Sequence, residues 1–316
     1  MNIVCCTDNN YIMPCGVLFC SICENNKDVP IHFFVVADSS VDQSCKSKLS
    51  SIVDRYSQKQ LSFININSVG MDNLPGLHNG HYITKAAYYR LFLASLLPDD
   101  INKVIYLDCD MIVRKSLMEL WKTSLDGYAI GVVADMCEIG ISHYNNLHYP
   151  LKLGYFNSGM LLVNLKYWRK ENLEKKFLDY LYSNFSNINC HDQDVLNFVC
   201  RECKVNIPLT YNFQDGFIYK NPEFDYWKYS EEINATVSDP CIIHYTRRKP
   251  WQKECIHPFK NVWRYYALAS PWKDYKLQKT NRKMGKIDTL KYILRSLHLL
   301  GPEWSPFKEI RFHLDK

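Results

Sequence analysis

Short apolar runs punctuate the first two-thirds of this chain, and each is followed by a longer stretch with helical spacing. Ile3–Cys6, Ile31–Ala37 (IHFFVVA) and Lys103–Leu107 (KVIYL) read as strands, the second of them fully buried. Met13–Cys23 and Gln43–Tyr56 read as helices, Leu61–Asn67 alternates polar and apolar residues, and Thr84–Leu97 is again helical. Strands separated by helices of that length imply crossover units, and so an α/β fold with a mostly parallel sheet. Such sheets place ligands outside the carboxyl ends of their strands, and Asp8 and Asp108 each follow such an end. Farther along, Gly131–Ala134, Gly159–Leu165 and Cys241–His244 read as strands, with helices over Lys166–Asn187 and Asp194–Cys203.

The 316 residues are long enough to bury a large core, and no run of about 18 apolar residues marks a membrane span. Charge divides the chain in two. From Lys273 onward there are eleven Lys/Arg against five Asp/Glu, whereas the preceding 272 residues carry 27 basic and 28 acidic side chains. A near-neutral body over 1–272 argues against nucleic acid as a partner, since a nucleic-acid-binding body spreads basic charge over its face. The basic tail, 273–316, contains an amphipathic helix over Ile287–Leu300. Two readings of that helix stand: peripheral contact with an anionic membrane, or a solvated helix packed on the body. Met1-Asn-Ile-Val-Cys-Cys opens as a strand rather than as a signal peptide, and thirteen cysteines is an odd count. Both favour reduced thiols and a cytoplasmic location, which in the membrane reading would set the tail on the inner face of the membrane. Cys20/Cys23 and Cys200/Cys203 have Cys-x-x-Cys spacing but sit in or at the end of helices without knuckle glycines, so buried thiols are favoured over zinc.

Asp108-Cys109-Asp110 is the most informative tripeptide. Positions i and i+2 at a strand end project to one side with α-carbons about 6.5–7 Å apart. Two carboxylates so placed repel unless a cation lies between them, and hard oxygens suit a divalent ion. A solvated turn is the plainer reading of a lone Asp-x-Asp, but the run Val104–Leu107 drives this one to the sheet's carboxyl edge. His244 ends its own apolar run, and an imidazole added to two carboxylates suits Mn²⁺ better than Mg²⁺. Arg247-Arg248-Lys249-Pro250-Trp251 follows closely: three adjacent cations are usually a solvated surface, but beside such a metal they look like a clamp for a diphosphate. The aromatic stretches Tyr144–Tyr155 and Tyr211–Tyr229 are where a ligand-stacking groove could lie, though most aromatics simply pack.

These segments, in this order over roughly residues 1–272, resemble glycosyltransferase family 8, retaining transferases that include bacterial lipopolysaccharide galactosyl- and glucosyltransferases and glycogenin. The opening Ile3-Val-Cys-Cys-Thr-Asp8-Asn-Asn10-Tyr11 resembles the family's nucleotide-binding strand and loop, which implies Asp8, Asn10 and Tyr11 as contacts to uracil and ribose. Thr84–Leu97 is similar to the helix whose Arg, here Arg90, lies beside the donor sugar. Leu107–Asp110 matches the metal motif, and Tyr155-Phe-Asn157-Ser158-Gly159 the Phe-Asn-x-Gly turn at the sugar. His191-Asp192-Gln193-Asp194 matches the Asp-Gln-Asp segment at the reacting face. His244, with Lys249-Pro250-Trp251, matches the third metal ligand and the phosphate-binding element. Position 247 is Arg where the family usually has Gly, and the Lys-Pro-Trp begins one residue early.

The resemblance implies a GT-A type nucleotide-binding α/β sandwich with a mostly parallel central sheet. It implies transfer of galactose or glucose from a UDP-sugar to a saccharide or lipid-linked saccharide acceptor. The metal would be Mn²⁺, or Mg²⁺, on Asp108, Asp110 and His244. Gln193, Asp192 and Asp194 are the catalytic candidates, and Asp135, after the strand Val132–Ala134, is a further donor contact. Retention is open to two routes, attack by a side chain from the opposite face or entry of the acceptor on the leaving-group face. Three rivals remain. A non-catalytic nucleotide-sugar-binding protein is motivated by Arg247, and a zinc-structured module by the Cys-x-x-Cys pairs. A pyrophosphorylase would need a Gly-rich basic N-terminal loop, and residues 5–16 hold one Gly and no basic residue.

Overall fold

The computed structural model describes residues 1–66, 86–136, 141–217, 229–247, 249–255 and 257–279, together with 290, 294 and 299. Its strands are β1 (Asn2–Thr7), β2 (Ile31–Ala37), β3 (Lys59–Asn65), β4 (Lys103–Leu107), β5 (Met111–Val113), β6 (Ile130–Ala134), β7 (Phe156–Asn164), β8 (Lys204–Asn206), β9 (Phe213–Gln214) and β10 (Ile242–His244). Its α-helices are α1 (Ile12–Asn25), α2 (Gln43–Val53), α3 (Ala86–Tyr89), α4 (Leu93–Leu96), α5 (Met118–Lys122), α6 (Ile141–Asn146), α7 (Leu165–Lys170), α8 (Leu173–Asn184), α9 (His191–Cys200), α10 (Ser230–Ser238) and α11 (Lys260–Ala269). Seven strands form one sheet, in the order β3-β2-β1-β4-β7-β6-β8. Only β7 runs against its neighbours, pairing antiparallel with β4 and β6, so the sheet is mostly parallel as expected.

β1, β2 and β4 are almost wholly buried because helices cover both faces of the sheet, and this is why they read as continuous apolar runs. Each buried Phe, Val or Ile of these strands contributes about 1.5–3 kcal/mol of transfer free energy. A second sheet, β5-β10-β9, was not anticipated as a sheet. It matters for the site, because β10 pairs antiparallel with β5 and sets His244 opposite Met111, next to Asp110. The backbone locks this register: Tyr245 N donates to the Asp110 carbonyl at 3.1 Å, and Asp108 N to the Gly159 carbonyl at 2.8 Å.

Five boundaries differ from expectation. The segment Thr84–Leu97 is not one helix: from residue 86 on it runs as α3, a 3₁₀ turn over Arg90–Phe92, then α4. The tighter turn buries Arg90, Leu91 and Phe92 together, which a uniform α-helix spaced at 100° per residue does not do. Lys166–Asn187 breaks at Asn172, whose φ of 51° is left-handed, a conformation Asn tolerates better than most residues. Asn157–Gly159, expected as a turn, lies inside β7, all three residues buried and continuing the pairing with β6 across a bulge at Val132/Val133. The helix expected from Asp194 starts at His191, so Asp192, Gln193 and Asp194 occupy its first turn, where carboxylates favour the positive end of the helix dipole. Helix α2 stops at Val53 rather than at Tyr56.

Packing on the body continues past residue 272. Trp272 lies so close over Gly16 of α1 that a Cβ there would come within 2.2 Å of its ring. Tyr275 meets Trp263 edge-on at 5.4 Å, and Gln278 exchanges backbone hydrogen bonds with Trp251 and Lys253. Most of the tail expectation, including Arg295 and the rest of the Ile287–Leu300 helix apart from Leu290, Leu294 and Leu299, lies outside the described residues. No helix among the described residues is long and apolar enough to cross a membrane.

Candidate active site

At the carboxyl edge of β1 and β4 a cavity of about 400 Å³ is lined by twelve of the fifteen expected site residues. Its floor is the Asp108–Asp110 turn. Asp108 turns Oδ1 to Tyr106 Oη at 2.7 Å and to Arg90 Nη2 at 2.9 Å. Asp110 turns Oδ2 to Lys249 Nζ at 2.6 Å. Each carboxylate therefore neutralises one oxygen against an outer partner and keeps the other for a shared centre. There, His244 Nε2 lies 3.9 Å from Asp108 Oδ2 and 3.3 Å from Asp110 Oδ1, and the three ligand atoms lie within 4.8 Å of one another. Two hard oxygens and one imidazole nitrogen so disposed fit a divalent cation of the Mn²⁺ type. Gly159 keeps room for this centre, because a Cβ there would stand 2.3 Å from His244 Cε1 and 2.9 Å from Asp108 Oδ2.

The charges balance tightly. Burial alone would raise the Asp110 carboxyl, but Lys249 and His244 beside it hold it well below the usual carboxylate range. Lys249 is correspondingly held above its ordinary value, Asp110 outweighing desolvation. Arg90 is buried and reaches three ways: Nη2 to Asp108, Nε to Asp192 at 3.1 Å, and Nη1 to the Ser158 carbonyl at 2.8 Å. Its guanidinium also lies 4.5 Å from the Tyr106 ring centroid.

Asp192 is the strained member. Its Oδ2 accepts from Ser158 Oγ at 3.0 Å and from Arg90, yet desolvation, aided by nearby Asp108, outweighs Arg90 and pushes its pKa up to about 6. A carboxyl whose folded pKa exceeds its unfolded value of about 3.9 costs stability at high pH, and the cost vanishes as pH falls through about 6 towards 4. Asp192→Asn should therefore gain on the wild type by about 2 kcal/mol between pH 4.5 and 7.5, whatever constant offset the lost Arg90 contact imposes. Urea unfolding of both proteins at several pH values measures this, and a pH-independent difference would contradict the assignment.

A network of amides forms the opposite wall. Ser158 N–H donates to Gln193 Oε1 at 2.9 Å, and Asn157 Nδ2 donates to the same oxygen at 3.2 Å and to Asp135 Oδ2 at 3.1 Å. Gln193 Nε2 donates to Asp135 Oδ2 at 3.2 Å. Asp8 lines the cavity while its Oδ1 accepts from the backbone N–H groups of Asn10 and Tyr11 at 2.9 and 3.1 Å, holding the start of α1. Tyr11, also in the lining, meets Trp251 edge-on at 5.9 Å, tying the N-terminal loop to the Lys249-Pro250-Trp251 element.

Three expected residues do not line the cavity: Asn10, Gly159 and Asp194. Asn10 is exposed and folds back onto Asp8. Asp194, expected at the reacting face, is fully buried, and its carboxylate takes hydrogen bonds from Tyr155 Oη, His143 Nε2 and the N–H groups of Asn189 and Cys190. Its position in the first turn of α9 makes it the group that ties down the loop entering that helix. The Tyr144–Tyr155 stretch packs on itself rather than opening a groove, Tyr144, Tyr149 and Tyr155 having ring centroids 5.8–6.2 Å apart. Arg247 has no left-handed backbone, so the missing Gly is not demanded by conformation, and its N–H donates to Asp215 Oδ2 at 3.0 Å. Arg248 and residues 218–228 lie outside the described residues.

Sequence reasoning missed Tyr106, whose hydroxyl at the end of a buried strand was a usable signal, and Asn212, fully buried behind His244, for which no local pattern exists. The four cysteines of the Cys-x-x-Cys pairs are free thiols and belong to neither group of metal-ligating side chains found among the described residues, Asp108/Asp110/His244 and His143/Cys190/Asp194.

A family model described as glycosyl transferase family 8 matches residues 2–255. Among similar proteins, the lipopolysaccharide 1,2-glucosyltransferase of Escherichia coli (strain K12) is 29% identical over 87% of this chain and 79% of its own length. General stress protein A of Bacillus subtilis (strain 168) is 26% identical over 86% of this chain and 94% of its own. The crystal structure of the galactosyltransferase LgtC with donor and acceptor sugar analogues superposes with a TM-score of 0.76 at 26% identity, covering 86% of this chain and 96% of that one.

Proposed function

This chain belongs to glycosyl transferase family 8 and has the GT-A type α/β fold, and from that premise we propose that it moves galactose or glucose from a UDP-sugar to a saccharide acceptor of a bacterial cell-surface glycan, with retention and with Mn²⁺. The observation that carries this reading is the convergence of Asp108 Oδ2, Asp110 Oδ1 and His244 Nε2 at the base of a cavity walled by Arg90, Asn157, Asp192 and Gln193. Mn²⁺ held there, or Mg²⁺, supplies Lewis-acid stabilisation, worth several kcal/mol, of the charge that develops on the departing diphosphate.

The residues divide the remaining work. Lys249 brings its ammonium to the same charge, Asp8 and Tyr11 bound the nucleoside end, and Arg90, Asp135, Asn157, Ser158 and Asp192 face the sugar hydroxyls. Gln193 Oε1 already accepts from Ser158 N–H and Asn157 Nδ2, so both lone pairs are engaged and neither is free to attack the anomeric carbon. Asp192 engages Arg90 and Ser158 through Oδ2, and Asp194 is buried away from the cavity. This favours entry of the acceptor on the leaving-group face. Its hydroxyl oxygen bonds to the anomeric carbon, the bond to the diphosphate oxygen breaks, and the hydroxyl proton passes to the departing phosphate.

A cytoplasmic protein whose basic tail beyond Lys279 rests on the anionic inner face of the membrane fits a lipid-linked acceptor. The test is UDP release from a panel of UDP-sugars with Mn²⁺ or EDTA. Slow release from one donor, lost in EDTA, is expected. UDP binding that raises the melting temperature, with no release from any donor even with saccharide acceptors added, would instead favour a non-catalytic nucleotide-sugar-binding protein.

A further inference from the structure

Asn212 is fully buried just behind the cavity wall, between His244 and Asn157, and none of the roles above uses it. The orientation of every amide around it follows from one backbone group. Gly159 N–H points at Asn157 and donates at 3.0 Å, so the atom it meets is Asn157 Oδ1. That oxygen lies 2.9 Å from Asn212, which must therefore present its Nδ2 as donor. The Asn212 carbonyl oxygen is then left facing His244 Nδ1 at 3.0 Å, where it can only accept. Nδ1 thus carries the imidazole proton, and Nε2 offers its lone pair to the centre between Asp108 and Asp110.

We infer that Asn212 is a positioning residue that sets the tautomer of His244 for metal ligation and, through Asn157, links the metal centre to Gln193. Asn157 Nδ2, on the far side of the same amide, donates to Gln193 Oε1 and Asp135 Oδ2, so the link is continuous. A hydrogen-bonding partner on the second ring nitrogen of a ligating histidine is worth tenfold to a hundredfold in metal affinity. The inference rests on the metal reading proposed above only for its consequence, since the tautomer is a property of the metal-free protein.

The experiment uses the full chain. In ¹⁵N-labelled metal-free protein, the ring nitrogens of His244, assigned by their loss in His244→Gln, should show protonation at Nδ1. Mn²⁺ titration followed by EPR gives the affinity of the wild type, Asn212→Leu and Asn212→Asp. Asn212→Leu removes the acceptor while keeping the branched side-chain shape and should mix the tautomers and weaken Mn²⁺ at least tenfold. Asn212→Asp keeps an acceptor for Nδ1 and should hold the affinity within about threefold of wild type. A proton on Nε2 in the wild type, or an Asn212→Leu protein with unchanged tautomer and affinity, overturns the inference. Should Asn212→Leu fail to fold, the wild-type tautomer and Asn212→Asp still decide, a tenfold loss in the latter counting against it. A wild type that does not bind Mn²⁺ overturns the metal reading instead, and the tautomer measurement judges the inference by itself.

Discussion

Asp110→Ala should lower metal-dependent turnover by about 10³-fold or more, equivalent to about 4 kcal/mol of transition-state stabilisation, in a protein that still folds. The size follows from the geometry. Asp110 would supply one of three ligand atoms and at the same time anchors Lys249, the cation expected to meet the diphosphate. Its removal deletes a ligand and lets Lys249 fall back on the carbonyls of Tyr245 and Thr246, which already accept from Nζ. Because those acceptors remain, the ammonium is not stranded without partners, and the melting temperature should drop by only a few degrees. Parallel assays of UDP release, Mn²⁺ binding and thermal unfolding check this. Full activity in the folded variant would sink the metal assignment.

Arg90→Leu carries the largest expected effect on stability, a loss of about 3–5 kcal/mol. The Arg90 side chain is 7% exposed and pairs with Asp108 and Asp192 together, so its loss leaves two carboxylates in a low-dielectric site with their shared cation gone. Lysine is no substitute, since one ammonium cannot reproduce the fork that serves Asp108, Asp192 and the Ser158 carbonyl. Mn²⁺ should raise the melting temperature of the variant more than that of the wild type, because a cation at the shared centre relieves Asp108 as well as binding there. Thermal unfolding with Mn²⁺ and with EDTA at one ionic strength measures both effects. A variant that melts with the wild type would show that the pairing adds nothing.

Much of this site was legible in the linear sequence because its residues sit at the ends of strongly patterned strands. KVIYL announces its own burial, and a strand that ends in Asp-Cys-Asp has one place to put the acids. The same holds for Asp8 after β1 and for His244 at the end of β10. What the pattern mistook were positions where a side chain's long-range partner overrides local preference. Arg90 sits in a 3₁₀ turn and not a regular helix, with its guanidinium drawn to Asp108 and Asp192. Asp194 looked equivalent to Asp192, two residues away in the same first turn of α9. Helical geometry separates them by about 200°, which sends one carboxylate to the cavity and the other to Tyr155, His143 and the backbone of the preceding loop.

The sequence by itself determined the layer of parallel strands, the sheet edge where the cavity lies and the residue types gathered there that fit a divalent ion, because burial period and strand ends are local properties. Only the tertiary structure decided which oxygen of each carboxylate faces the centre shared with His244, which face of α9 lines the cavity, and which ring nitrogen of His244 faces Asn212. Those depend on register between β5, β7 and β10, segments more than forty residues apart, and register is set by pairing and packing that no single stretch of chain contains.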